Sequence, residues 1–329
     1  MARIIFTGHA SCDIPFRPVD REVFDVDTWF AKEINVLTGG DALNATVNLY
    51  KLGMGDSLKF VSVVGDDTFG KITTDYLKER NIDISGIKVK PECSSIVSVA
   101  LIESSGERHF VFYGNSARNI SVEDVIENIT PDTEFIHIGS LMSLDMLEHD
   151  NLRRLFQYAK ERGIHTSFDV TYDDTGEWLG KIEAGLPYTD IFFASFDEAV
   201  SISGGITDPT ELAAFFKKYG IGKFVLKLGK DGCYATDYTN NAIRLPTYAG
   251  VPVVDTTGAG DAFVSAYMYG VLNDLSMEEC CILGNVNGSL AIGAVGSTAG
   301  TGTVEQLKAF ILSHGALTVD SDSLISKLK

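Results

Sequence analysis

Val251–Leu272 reads VPVVDTTGAGDAFVSAYMYGVL, and inside it the run Asp255-Thr256-Thr257-Gly258-Ala259-Gly260-Asp261-Ala262-Phe263 carries the most information in this 329-residue chain. Val251–Val254 reads as a short apolar strand, the glycines as a turn, and the apolar run that follows as a helix opened by a carboxylate. Such a turn aims unpaired backbone N–H groups and the positive helix end at any anion placed before it. Asp261 stands where an attacking hydroxyl would meet a bound phosphate, so the residues together suggest phosphoryl transfer to an alcohol. The plain alternative is a strand-to-helix turn whose Asp261 only favours the helix N-terminus.

DTTGAGD followed by an aromatic resembles the signature of the PfkB (ribokinase-like) family of sugar and nucleoside kinases. The resemblance implies that Asp261 is the catalytic base and that Gly258, Ala259 and Gly260 form an anion hole for the transferring phosphoryl group.

Composition sets the outer bounds. Apolar residues make up 45% and charged residues 22%, an ordinary globular balance. No window approaches the ~18 consecutive apolar residues of a membrane span. The opening MARIIFTGHASCDIPF reads as a buried strand and not as a secretion signal. Cys12, Cys93, Cys233, Cys280 and Cys281 show no CxxC spacing, which favours reduced structural thiols and a cytoplasmic setting. The formal net charge of −18 argues against nucleic acid and anionic membranes as partners. It also repels free ATP, so helix ends, a few lysines and a divalent cation must act locally.

Short apolar runs at Ile4–Phe6, Lys59–Val64, Ile96–Ile102, Phe135–Ile138, Thr166–Val170, Ile191–Ala194 and Phe224–Leu228 alternate with helical patterns. Near-continuous apolar strands between helices predict a doubly wound, mostly parallel α/β sheet flanked by helices. One such domain is expected over residues 1–329. Two segments break the rhythm, at about 13–37 and 94–113; the second holds alternating runs around Ser104-Ser105-Gly106-Glu107, which reads as a hairpin turn. The resemblance implies that both pair into a small β-sheet lid over the sugar site, used for homodimerisation.

Thr38-Gly39-Gly40-Asp41-Ala42-Leu43-Asn44 opens an amphipathic helix. The glycine pair permits close backbone approach to a ligand, and an amide at Asn44 both donates and accepts, which suits a sugar hydroxyl. The family's GG…N motif matches here, so Gly39, Gly40 and Asn44 become acceptor-binding candidates. Gly8 and Asp13 keep the family's spacing for a carboxylate that binds acceptor hydroxyls, with Ser11 on the same turn. Ribokinases proper carry a lysine where this chain has Asp41, which weakens the case for ribose.

On the nucleotide side, Ser195-Phe196-Asp197-Glu198 resembles the family's NxxE motif with serine in place of asparagine. That implies an indirect Mg2+ role for Glu198; Ser195 as a helix cap is the equal alternative. Val64-Gly65-Asp66-Asp67 matches a family element expected to be structural. Lys227, Gly229 and Gly232 resemble the nucleotide loop, and Asn285 matches a position near the adenine. Asp255, Thr257, Gly296 and Ser297 match a monovalent-cation site, so K+ activation is expected alongside ATP and Mg2+. No GxxxxGK[ST] occurs.

The expected activity is an ATP-dependent sugar kinase acting on a small ribose- or fructose-like acceptor. A nucleoside kinase would use Phe16, Phe24, Trp29 and Phe30 of the lid as a base slot. A sugar-acid kinase would call on Arg108 or Arg118, while basic residues are too sparse for a phosphorylated acceptor. A non-catalytic sensor on a kinase scaffold and a nicotinamide oxidoreductase are the readings from other classes.

Overall fold

The computed structural model describes residues 2–105, 107–239 and 242–329. Its strands, in chain order, are β1 (Ile4–Thr7), β2 (Ser11–Arg17), β3 (Glu33–Ile34), β4 (Leu37–Gly39), β5 (Leu58–Val64), β6 (Ile87–Val89) and β7 (Ile96–Ile102). They continue as β8 (Arg108–Tyr113), β9 (Phe135–Leu141), β10 (His165–Val170), β11 (Ile191–Ser195), β12 (Lys223–Lys227), β13 (Cys233–Thr236) and β14 (Ile243–Leu245).

Nine strands form one sheet in the order β14-β13-β12-β11-β10-β9-β1-β5-β6, with only the β12–β13–β14 edge antiparallel. Side chains of successive residues point to opposite faces, so Ile4 and Phe6 join one core while Ile5 joins the other. The first core holds the helices Asp41–Leu49, Ala259–Leu272, Met277–Ala291 and Val304–His314; the second holds His149–Lys160, Phe196–Ile202 and Pro209–Lys217. Strand order reverses at β1, which lies between β5 and β9. Ligand sites of open parallel sheets gather at such a reversal, beyond the carboxyl ends of the strands.

A smaller sheet stands over that end, in the order β3-β2-β7-β8 with β4 also paired to β2. Its register fixes which residues face down. Asp13 pairs with Ser98 and Pro15 with Ala100, while Ser98 pairs with Phe112, Ala100 with Phe110 and Ile102 with Arg108. These residues line the space beneath, and the alternate positions face away. Of the expected turn between β7 and β8, Gly106 lies outside the described residues.

One local expectation fails. Val251–Val254 is not a strand, and Val253 and Val254 are exposed. Pro252 has no N–H for a ladder, and the N–H groups of Val254 and Asp255 both go to the carbonyl of Ile292. The segment is an irregular bridge anchored on the end of a helix. The Val64–Gly70 run is structural: Asp67 caps the Thr68–Glu79 helix through Gly70 N–H and also accepts from Ser95 N–H, tying β5 to β7.

Candidate active site

Beneath the small sheet lies a cleft of about 800 Å³, lined by Ser11, Asp13, Gly40, Asp41, Asn44, Arg118, Gly258, Gly260 and Asp261 among others. Each glycine at its wall has a distinct reason. A Cβ at Gly39 would lie 1.9 Å from Asp13 Oδ2, and one at Gly40, whose φ is +95°, would lie 2.6 Å from the His9 carbonyl. Gly39 therefore makes room for the Asp13 carboxylate, and Gly40 turns the chain into the Asp41–Leu49 helix. Ser11 Oγ donates to Asp13 Oδ1 at 2.8 Å.

Asn44 projects from the first turn of that helix and donates to Asp261 Oδ2 at 2.7 Å, while its own Oδ1 accepts from Ser297 Oγ at 2.8 Å. A primary amide has two N–H donors and two acceptor lone pairs. Half of the capacity assigned to acceptor binding is thus taken, one donor by Asp261 and one acceptor site by Ser297. Ser297 faces Asn44 and the Thr38 carbonyl, not Asp255.

The cleft is strongly acidic, with Asp13, Asp41, Asp174 and Asp261 all on its wall. Burial lifts the Asp13 carboxyl to about 6, against the Ser11 hydroxyl and with repulsion from Asp41. Burial and then Asp41 push Asp261 well above the ordinary carboxylate range, with Asn44 and Lys227 opposing.

Gly258 adopts φ +76° at the N-cap of the Ala259–Leu272 helix, where a Cβ would lie 2.2 Å from the Ser297 carbonyl. Gly260 and Asp261 occupy the first helical turn, whose N–H groups have no carbonyl four residues back inside the helix. Beneath them, a Cβ at Gly260 would lie 3.5 Å from Lys227 Nζ. Lys227, at the end of β12, donates to Asp169 near the end of β10. Desolvation acts to discharge this lysine, but Asp169, Glu198 and Asp261 outweigh it and keep the ammonium charged.

Ser195 and Glu198 form a reciprocal cap: Ser195 N–H donates to Glu198 Oε2 at 2.7 Å and Glu198 N–H to Ser195 Oγ at 3.4 Å. Burial lifts Glu198 to about 7, with Lys227 opposing and Asp169 adding to the rise.

Asp255 collects donors. Oδ1 accepts from Thr257 N–H at 2.8 Å and from Arg108 Nη2 at 2.6 Å, and Oδ2 accepts from Gly296 N–H at 3.0 Å. Arg108 also donates to Thr257 Oγ1. Burial acts to raise the Asp255 carboxyl, but these donors and the guanidinium hold it below its ordinary value. Of the four residues expected to hold a monovalent cation, Asp255 and Thr257 bind a guanidinium instead, Gly296 gives its N–H to Asp255, and Ser297 turns to Asn44; as arranged they do not fit a second positive charge.

Other expected residues lie elsewhere. Gly232 has φ +88°, and a Cβ there would lie 1.9 Å from the Leu245 carbonyl, so its glycine serves the β13–β14 edge. Gly229 sits in an exposed turn with φ +56° and open space around it. Asn285 is buried and donates to the Pro246 carbonyl at 3.1 Å. Phe16, Phe24, Trp29 and Phe30 line neither this cleft nor the smaller cavity beside it, and Trp29 donates to the Pro18 carbonyl at 2.8 Å. The aromatic wall is Phe110 and Phe112, stacked with centroids 5.9 Å apart, together with Tyr113 and Tyr172. Arg118 is on the cleft wall, paired with Asp145 and Asp174. Asp41 and Asp169 were not foreseen as site residues; a lone aspartate at the end of an apolar strand, as in FDVTY, was the one available sign of Asp169.

The comparisons bear on the family and the fold. The protein is 30% identical over 294 residues to a 5-dehydro-2-deoxygluconokinase of Clostridium perfringens, covering 85% of this chain and 86% of the relative. The fold superimposes on a ribokinase of Thermotoga maritima with a TM-score of 0.79 at 21% identity, over 95% of this chain and 100% of that one. An E. coli chain solved in complex with ATP and Mg2+ gives a TM-score of 0.81 at 24% identity, over 95% of this chain and 100% of that one. The pfkB family carbohydrate kinase pattern matches residues 1–303, and the chain belongs to that family.

Proposed function

We propose that this carbohydrate kinase transfers the γ-phosphoryl group of ATP to a hydroxyl of a neutral sugar held in the acidic cleft. The observation that carries the acceptor class is the wall itself. Three carboxylates, Asp13, Asp41 and Asp261, accept hydroxyl donors, whereas Arg118, the arginine on that wall, is already paired with Asp145 and with Asp174 of the same wall. A sugar acid or sugar phosphate would meet uncompensated repulsion there. Ser11, Asp13, Gly39, Gly40 and the free half of the Asn44 amide hold the acceptor. Asp261 takes the hydroxyl proton as the oxygen bonds to the γ-phosphorus, and the bond from that phosphorus to the bridging oxygen breaks to release ADP. A raised pKa suits a base poised closer to neutrality. The N–H groups of Gly258, Gly260 and Asp261 and the Lys227 ammonium neutralise charge on the transferring group, while the Ala259 N–H is taken by the Thr256 carbonyl.

Asp169 and Glu198 offer hard oxygen donors, the chemistry that suits Mg2+ or its bound waters. Magnesium, when bound, would screen the triphosphate charge. ATP would lie past Lys227 toward the exposed turn at Gly229. Potassium has no place in this reading, because Arg108 already supplies positive charge at Asp255. The outer face of the small sheet, with Ile14, Phe16, Val99, Leu101 and Val111, supports a lid that pairs with a second copy. Five buried free cysteines suit a reducing cytoplasm, and no helix among the described residues is long and apolar enough to cross a membrane.

The test is ADP release from MgATP across neutral sugars, sugar acids, sugar phosphates and nucleosides, with Asp261→Asn as control. The expected result is turnover on a neutral sugar, lowered by roughly 10²–10⁴ in the variant while ATP binding stays near normal. A variant with wild-type turnover would remove Asp261 from the chemistry. Turnover on acids or phosphates alone would overturn the acceptor class.

A further inference from the structure

Arg108 leaves the small sheet where the register points it inward, directly opposite Ile102 and two residues before Phe110. Its guanidinium crosses to Asp255 and Thr257, the residues that lead into the Gly258–Asp261 turn. Asp255 is the knot of that region: it holds the Thr257 N–H on one side and the Gly296 N–H on the other. The loop it restrains carries Ser297, whose carbonyl packs against Gly258 and whose hydroxyl bonds Asn44. The ion pair is sheltered, with side-chain exposures of 25% for Arg108 and 12% for Asp255. A half-buried carboxylate beside a triphosphate site needs a counter-charge, and here the chain provides its own.

We propose that Arg108 is a positioning residue for phosphoryl transfer: its guanidinium takes the place of a monovalent cation at Asp255 and fastens the small sheet to the anion-binding turn. The proposal rests on the kinase reading above. Two consequences separate it from a merely structural ion pair. The enzyme should not need potassium, and removing the guanidinium should expose an acidic site that a small cation can fill.

The experiment compares the wild type with Arg108→Met and Arg108→Lys in potassium chloride and in tetramethylammonium chloride, both at about 0.1 M ionic strength. Wild-type turnover should agree between the two salts within about twofold. Arg108→Met should lose about tenfold or more in tetramethylammonium and regain part of that in potassium, and Arg108→Lys should fall between. A second arm reads melting temperature with MgADP and no acceptor. Potassium should raise it selectively in Arg108→Met and leave the wild type unmoved. Potassium activation of the wild type overturns the proposal. So does an Arg108→Met enzyme that is as active as wild type in tetramethylammonium, or one equally impaired in both salts without a potassium-specific melting shift. Absence of turnover on every acceptor, with the melting arm behaving as stated, would count against the kinase reading and not against the role of Arg108.

Discussion

Asp13 illustrates how a single side chain is bought at the expense of its neighbours. Gly39 has no Cβ because the Asp13 carboxylate fills that space, and Ser11 turns its hydroxyl onto the same group. The folded protein nevertheless disfavours the charge, since the carboxyl titrates near 6 and not at its ordinary value. A carboxyl raised on folding contributes stability below its unfolded pKa and loses it as pH rises through the folded one. Asp13→Asn should therefore melt higher than wild type near pH 8, by roughly 2–3 kcal/mol of stability for a two-unit shift. The advantage should shrink as pH falls through 6 and vanish near pH 4. Ligand-free melts across that range check it, and a constant difference would show that burial of this charge is not the cause. Gly39 and Gly40 were legible as ligand-facing because a glycine pair before a helix announces close approach, and Asp13 through the family's spacing from Gly8. Asp41 was not. Its residue type stood out only as a departure from lysine, and nothing local tells that it faces Asp13 and Asp261 across a cleft.

At the level of elements, Lys227 ties the ends of β10 and β12 to the cap of the helix after β11. Lys227→Met would leave Asp169 and Glu198 buried without their cation, a loss on the order of 3–5 kcal/mol. The loss should ease from pH 8 toward pH 5, because the stranded carboxylates can take up protons; urea titrations at the two ends read both effects. An equal loss at both would point to lost packing of the lysine stem instead. Most strands of the large sheet were readable from apolar runs and the β7–β8 pair from alternation, whereas the place of the 13–37 segment in the small sheet came from the family resemblance. Val251–Val254 misled because an apolar tetrad looks like a strand until the destination of its N–H groups is known, and Ile292 lies far along the chain. Ser195 could be read two ways, and the reciprocal bond to Glu198 accounts for its conformation as a cap. Arg108 was legible only as a spare cation; its partner depends on β-register.

For the whole molecule, the outward face of the small sheet matters most. Val111 on that face is 57% exposed, and Phe24 and Phe30, in the segment between β2 and β3, are 85% and 87% exposed. Apolar area of this kind marks an association surface. Light scattering should give a dimer for the wild type and a monomer for Val99→Lys combined with Val111→Lys, a cross-strand pair on that face, at unchanged helical content. A monomeric wild type at micromolar concentration would remove the dimer. The connectivity has one more consequence, and it concerns synthesis. Asn44 meets Asp261 across 217 residues of sequence and Ser297 across 253. The first strand sits in the middle of the sheet, between partners made later. During translation the amino-terminal half can compact, but its ligand-facing helix waits, unclamped, until the segment around Ser297 has cleared the ribosome. A nascent chain that has not yet reached Ser297 should therefore not turn over ATP.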